Sequence, residues 1–399
     1  MSRLTLRLLG LAVLCVGILA FILVSYNSAP YREANTIASG AETFSQLSDR
    51  FQSLAQEKSA LYAYEVLRRA TLPPGTDVHL LAHTVGDELY KQKGVSGIAD
   101  CTQEFRNACS HTIVIGALNE FGSEKALGLI RDACEKAPGG SGAYTMCHHG
   151  LGHGVFAYYG YDFTKTDAFC KKTGTAGYRN REYIECMGGA VMELMGGGGH
   201  DKIAWLGSRE KYLDPKDPLA PCSTHVIPGE AKGMCYMYLT PHLFEASGGN
   251  LANPKPRDFA AAFRFCDRIS KSTYDLREAC FSGIGKEFPV LALSRDIRSV
   301  EVADDNALRQ MRDWCALAPH DEAYENCTRS IVSSLYWGGE NNPRTVITFC
   351  EFAEGTDRDR CFGGIFEEAQ RYPSLQYPDT QLCALIPSDK ELACRDALS

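Results

Sequence analysis

Along most of this chain apolar residues recur at alternating steps of three and four, the period of an α-helix that buries one face. In "EKALGLIRDAC" the shared face is Ala126, Leu127, Ile130, Ala133 and Cys134, and in "NALRQMRDWC" it is Leu308, Met311 and Cys315. The runs "TKTDAFC", "DFAAAFRFC" and "RTVITFC" follow the same rule, and each closes on a cysteine. A second class of helical run opens on one: "CSHTIVIGALNEFG", "CHHGLGHGVFAYYG", "CMGGAVMELMGGGG" and "CFSGIGKEFPVLAL". Gly122, Gly160, Gly199 and Gly248 each stand thirteen residues after their cysteine. That is the place of a helix C-cap that needs positive φ. The pattern predicts an all-α chain.

The cysteines turn these runs into a repeat. Sixteen of the seventeen fall into eight consecutive pairs: Cys101 with Cys109, Cys134 with Cys147, Cys170 with Cys186, Cys222 with Cys235, Cys266 with Cys280, Cys315 with Cys327, Cys350 with Cys361, and Cys383 with Cys394. The second members recur 33 to 49 residues apart, a period that points to stacked helical units. Each unit reads as helix A, a loop and helix B, with a cysteine at both edges of the loop. Pairing between neighbours is the simplest scheme. A bridge across such a loop contributes about 2 to 3 kcal/mol in the chain-entropy account.

A ninth unit without cysteines stands first, because "AHTVGDELYKQKG" (82–94) runs from His to Gly in register with "SHTIVIGALNEFG" (110–122). Leu81 takes the cysteine position there. The segments "GGGGHDKIAWLGSREKYLDPKDPLAPC" and "GGNLANPKPRDF" are rich in Gly, Pro and Asp and read as inserted loops, which in repeat arrays often carry recognition. The expected architecture is therefore an α-solenoid of about nine helix-loop-helix repeats, most of them stapled by an intra-repeat disulfide. In general plan this resembles the solenoids of the tetratricopeptide repeat class. Their Trp-Leu-Gly-Tyr pattern is absent, so the resemblance is one of architecture.

Composition adds a location. Arg3 and Arg7 precede nineteen uncharged residues, Leu8 to Tyr26, enough to cross a bilayer as a helix with the positive end inside. "NSA" before Pro30 is a poor cleavage site, so the expectation is an uncleaved signal anchor. The division is then 1–7 cytoplasmic tail, 8–26 transmembrane anchor, 27–55 stalk or linker helix, and 56–399 disulfide-rich ectodomain in the periplasm or at the cell surface. Paired cysteines suit such an oxidising compartment. The net charge of −8 and pI near 5.7 argue against a nucleic-acid partner, since phosphate binding demands clustered Lys and Arg. The membrane, and a protein or peptide partner, are the expected associations.

The histidines carry the candidate chemistry. His83, His111 and His149 each sit two residues after the cysteine position in three successive units, and His79 and His153 lie four residues away on the same helices. Two His-x-x-x-His faces flanking a third helix with His111 form a candidate site for a divalent transition metal, zinc, iron or copper. Packing distances of ~8 to 10 Å between helices make the geometry tight, and a structural role in the seam between units is the alternative. His148, on another face, is expected in solvent. Glu88, Glu193, Glu287 and Glu368 recur seven residues after the cysteine position and read as a solvated face, with a ligand or general-base role as the alternative. Gly150, Gly189, Gly283 and Gly364, three after it, are expected where helices approach closely.

Two functions from different classes fit these features. One is a membrane-anchored interaction scaffold for a protein, peptide or glycan; the other is a metal-dependent hydrolase or oxidoreductase using His79, His83, His111, His149 and His153. No nucleotide-binding loop, serine elbow or Cys-x-x-Cys is present, and no catalytic residue is assigned.

Overall fold

A computed structural model describes residues 29–37, 42–73, 76–101, 105, 108–137, 140–197, 201–250, 253–294, 296, 300, 303–337, 341–374 and 377–399. The chain is all-helical over these residues, with one isolated bridge, Asp214 to Asp217, outside the helices. In chain order the helices are α1 (Phe44–Glu57), α2 (Ala60–Leu67), α3 (Val78–Lys93), α4 (Ala108–Cys134), α5 (Gly140–Tyr158), α6 (Phe163–Cys170), α7 (Arg181–Gly196), α8 (Lys202–Tyr212) and α9 (Lys232–Tyr238). They continue as α10 (Thr240–Ala246), α11 (Pro256–Cys266), α12 (Tyr274–Ala292), α13 (Asp305–Cys315), α14 (Asp321–Tyr336), α15 (Pro343–Glu351), α16 (Gly355–Arg371), α17 (Asp379–Leu385) and α18 (Ser388–Leu398).

Short polar side chains start these helices by accepting from backbone N–H groups that have no intrahelical partner. Asp77 accepts from Leu80 N at 3.1 Å, Asp304 from Ala307 N at 2.8 Å, and Asp162 from Thr164 N and Lys165 N at 2.9 and 3.1 Å. Glycine in the left-handed region separates units: φ is 58° at Gly94, 70° at Gly122, 63° at Gly160 and 80° at Gly248. At Gly122 the break divides α4 into helix B of one unit and helix A of the next. Gly199 lies outside the described residues.

The helices that follow the second cysteines form one row. α3 packs on α4, α4 on α5, α5 on α7, α7 on α9, α9 on α12, α12 on α14, α14 on α16 and α16 on α18. Each preceding helix lies against its own partner, as α6 does on α7, α11 on α12, α13 on α14, α15 on α16 and α17 on α18. Disulfides join Cys101–Cys109, Cys134–Cys147, Cys170–Cys186, Cys222–Cys235, Cys266–Cys280, Cys315–Cys327, Cys350–Cys361 and Cys383–Cys394. They span 8 to 16 residues, so each unit carries its own staple. Eight bridges belong to an oxidising, extracytoplasmic compartment.

One segment differs from the sequence expectation. The first inserted stretch holds a helix, α8, capped by Asp201 and fastened by Trp205 Nε1, which donates to Glu193 O at 2.9 Å. α1, within the 27–55 segment, lies on α3 with Leu47, Phe51, Leu54 and Ala55 buried. The apolar stretch Leu8–Tyr26 lies outside the described residues; among those residues no helix is long and apolar enough to cross a membrane.

Candidate metal centre

Glycine brings the first helices close enough for their histidines to meet. A Cβ at Gly86 of α3 would overlap Thr112 Oγ1 and crowd the Cys109 carbonyl on α4. One at Gly150 of α5 would stand 2.8 Å from Ser110 Oγ and 3.0 Å from His111 Cδ2. Between α5 and α7 the approach is reciprocal: Gly152 faces the Cys186 carbonyl and Gly189 the His149 carbonyl, each with no room for a methyl. Gly283 faces the Met237 carbonyl in the same way, whereas Gly364 makes only ordinary contact with Val332. Loss of the side chain costs about 1 kcal/mol of helix propensity per glycine, and here it removes the spacing that larger residues would impose.

Within this seam His79 and His83 on α3, His111 on α4, and His149 and His153 on α5 form one contiguous group. His79 Nε2 and His83 Nε2 are 3.2 Å apart. The His111 ring lies 5.2 Å from that of His79 and 5.5 Å from that of His83, centroid to centroid. One ring nitrogen from each of these three falls within 4.8 Å of the others. On its other side His111 stacks on His153 at 4.0 Å, and His153 Nε2 is 3.4 Å from His149 Nε2. Units one and three thus meet across His111, with the His79 and His153 rings 6.5 Å apart.

The surroundings differ at the two ends. His79 is half-buried, and its Nδ1 lies 2.6 Å from the Phe105 carbonyl. His111 is wholly buried, and neither of its ring nitrogens has a hydrogen-bond partner. Burial, and then the neighbouring imidazoles led by His153, hold His111 well below the usual histidine range, so it is neutral. His153 Nδ1 lies 3.0 Å from Glu193 Oε2, and His149 Nδ1 lies 3.4 Å from Glu185 Oε2, a close but poorly aligned approach. Burial alone would raise Glu185; His149 and Arg181 beside it hold its carboxyl below the ordinary carboxylate range. Met192 Sδ stands 3.5 Å from His149 Nε2, and the Tyr238 ring packs on His149 at 4.9 Å.

Two expectations are corrected. The recurrent glutamates do not form a solvated face: Glu88 and Glu193 are 3% exposed, and the Glu287 and Glu368 side chains 12% and 13%. Glu88 accepts from Gln52, Gln56 and Lys91, and Glu193 serves His153. Neighbouring elements cover the face that a lone hairpin would leave in water: α1 at Glu88 and α5 at Glu193. His148 is likewise buried, its Nδ1 3.0 Å from the Tyr144 carbonyl, because α5 is enclosed on every side from Cys147 to Phe156. Glu185, Met192 and the Phe105 carbonyl joined the site without any repeating signal.

No protein family, no curated protein and no solved structure matches this chain.

Proposed function

We propose that this chain is an extracytoplasmic α-solenoid whose first three units hold a transition-metal ion on His79, His83 and His111. The observation that carries this reading is His111: an imidazole with no exposed surface and no hydrogen bond at either nitrogen, beside two more ring nitrogens within 4.8 Å. Leaving such groups unsatisfied costs on the order of 1 to 3 kcal/mol, and a metal removes that cost. An all-imidazole set suits zinc, iron or copper. Three protein donors leave a position for water or substrate, the arrangement of a hydrolytic or redox centre. The half-buried edge at His79 gives access to it. The row of B helices supports the solenoid description, and the apolar run Leu8–Tyr26 supports a single-pass anchor placing this centre outside the cytoplasm.

Metal analysis of the chain purified without chelators tests this. About one equivalent is expected on the three-histidine set, lost in His111→Ala and His83→Ala while circular dichroism remains helical. Absence of stoichiometric metal from the native chain would sink the reading.

A second reading, an interaction scaffold for a protein, peptide or glycan, draws on a groove of about 610 Å³ at the other end of the row, lined in part by Tyr274, Arg312, Tyr324, Arg329, Arg360 and Glu367. The two are compatible, since they use different units.

A further inference from the structure

The α5 end of the cluster has the features of a second, chemically distinct metal position. We propose that His149 and His153, through Nε2, and Met192, through Sδ, bind a soft transition-metal ion, with copper(I) the best match. This extends the three-histidine reading and is tested apart from it.

The first argument is spacing. A metal with ~2.0 to 2.1 Å bonds to nitrogen and tetrahedral angles holds adjacent nitrogens about 3.3 to 3.4 Å apart. His149 Nε2 and His153 Nε2 are 3.4 Å apart, and Met192 Sδ lies 3.5 Å from the first of them. His149 Nε2 is therefore already at ligand-to-ligand separation from a donor on its own helix and from one on the next.

The second argument is orientation. His153 turns Nδ1 to Glu193 Oε2 at 3.0 Å, and His149 turns Nδ1 toward Glu185 Oε2 at 3.4 Å. The two Nε2 atoms are thereby directed at each other across 3.4 Å, on the side away from the carboxylates. A buried carboxylate behind a ligating histidine is the usual outer support of a metal-bound imidazole. Both carboxylates are buried, at 3% exposure each.

Stacking keeps the two positions separate. The His111 and His153 rings are 4.0 Å apart with planes at 17°. Imidazole lone pairs lie in the ring plane, so these two rings hold theirs in nearly parallel, stacked planes and cannot both point at one ion. His111 therefore serves the α3 side and His153 the α5 side. The thioether decides the metal: sulfur donors of this kind select copper(I) over zinc, whereas the α3 set has none.

The test is anaerobic titration of the full, metal-stripped chain with copper(I), with zinc in parallel, and copper K-edge absorption of the loaded protein. Two equivalents of copper(I) are expected, with a sulfur neighbour at about 2.3 Å. Met192→Leu should remove the sulfur signal and weaken the second equivalent at least tenfold, and His149→Ala should abolish it. His79→Ala should remove only the other equivalent; a native chain whose one copper(I) survives His79→Ala and is lost in His149→Ala strikes the three-histidine reading and leaves this one standing. A native chain with no copper(I) equivalent sensitive to His149→Ala, or one whose bound copper(I) is unchanged in both Met192→Leu and His149→Ala, would overturn the proposal. Variants are compared only where their helical circular dichroism matches the native chain, and Met192→Leu, which conserves volume, keeps the test open if His149→Ala does not fold.

Discussion

His111 and His153 belong to successive units, yet their rings lie face to face with centroids 4.0 Å apart. Contact of that kind places two imidazoles side by side in a volume closed to water. It makes the centre of the first three units a place where polar groups are retained at a cost to folding.

Replacing His111 should expose that cost. In the metal-free chain His111→Leu removes two buried nitrogens that have no hydrogen-bond partner, and is expected to be neutral or stabilising by about 1 to 2 kcal/mol. With metal present the order should reverse, because the native chain gains roughly 2.7 kcal/mol at a hundredfold excess of metal over Kd. The check is urea denaturation with and without zinc. Equal responses of the two proteins to metal would contradict the site.

The glycine seam makes a paired prediction. Gly189→Ala drives a methyl into the His149 carbonyl, and the helices can part only by disturbing α5; a loss of about 2 to 4 kcal/mol is expected, in the range of overpacked cores. Gly128→Ala meets nothing within 4 Å on an exposed helical face, and should gain about 0.5 to 1 kcal/mol from propensity. Thermal denaturation of both variants distinguishes the two kinds of glycine. Similar effects would show that the close approach on α5 is not required.

Stability of the metal-free chain should depend on acid in one direction. Burial first, then the surrounding imidazoles of His153, His79, His83 and His149, hold His111 well below 6.5, and burial lowers His148. Below 6.5 the unfolded chain therefore binds protons that the folded chain refuses. Stability is full above that value and falls as pH drops through it toward the folded-state values, by up to about 1.4 kcal/mol per pH unit for each group. Urea midpoints taken between about pH 7.5 and pH 5 measure the slope. A midpoint that holds or rises on acidification would refute the neutral, buried assignment of these two histidines.

How much of this was legible in the sequence depends on what each residue touches. The cysteine pairs set the unit, and the positions of His83, His111 and His149 in it gave the histidine group, because repetition is independent of packing detail. Burial was not legible in the same way. Periodicity marks the face that a helix turns to its own hairpin, while Glu88, Glu193 and His148 are covered by neighbouring units. In α5 the enclosed stretch from Cys147 to Phe156 has no polar face at all, so no amphipathic stripe could separate His148 from His149. The glycines three after the cysteine position read as points of close approach, and Gly150, Gly189 and Gly283 are such points; that they let units one and three meet across His111 is visible only once the opposing residues are placed.

The staples should differ in what they protect. Cys147 stands two residues before His149 and is tied to Cys134, so this bridge fixes the start of the buried stretch of α5. The Cys383–Cys394 bridge joins α17 to α18, at the opposite end of the row. Replacing both cysteines of either pair by serine is expected to cost about 2 to 3 kcal/mol of unit stability. Only the Cys134→Ser, Cys147→Ser chain should also lose metal affinity, by tenfold or more, because loosening the first turns of α5 releases the His149 and His153 rings from His111. Metal titration of the two double variants, at a temperature where both are helical, decides the point. Equal affinity in both would mean that helix packing alone holds the histidines, and that the bridge beside them serves only the unit in which it lies.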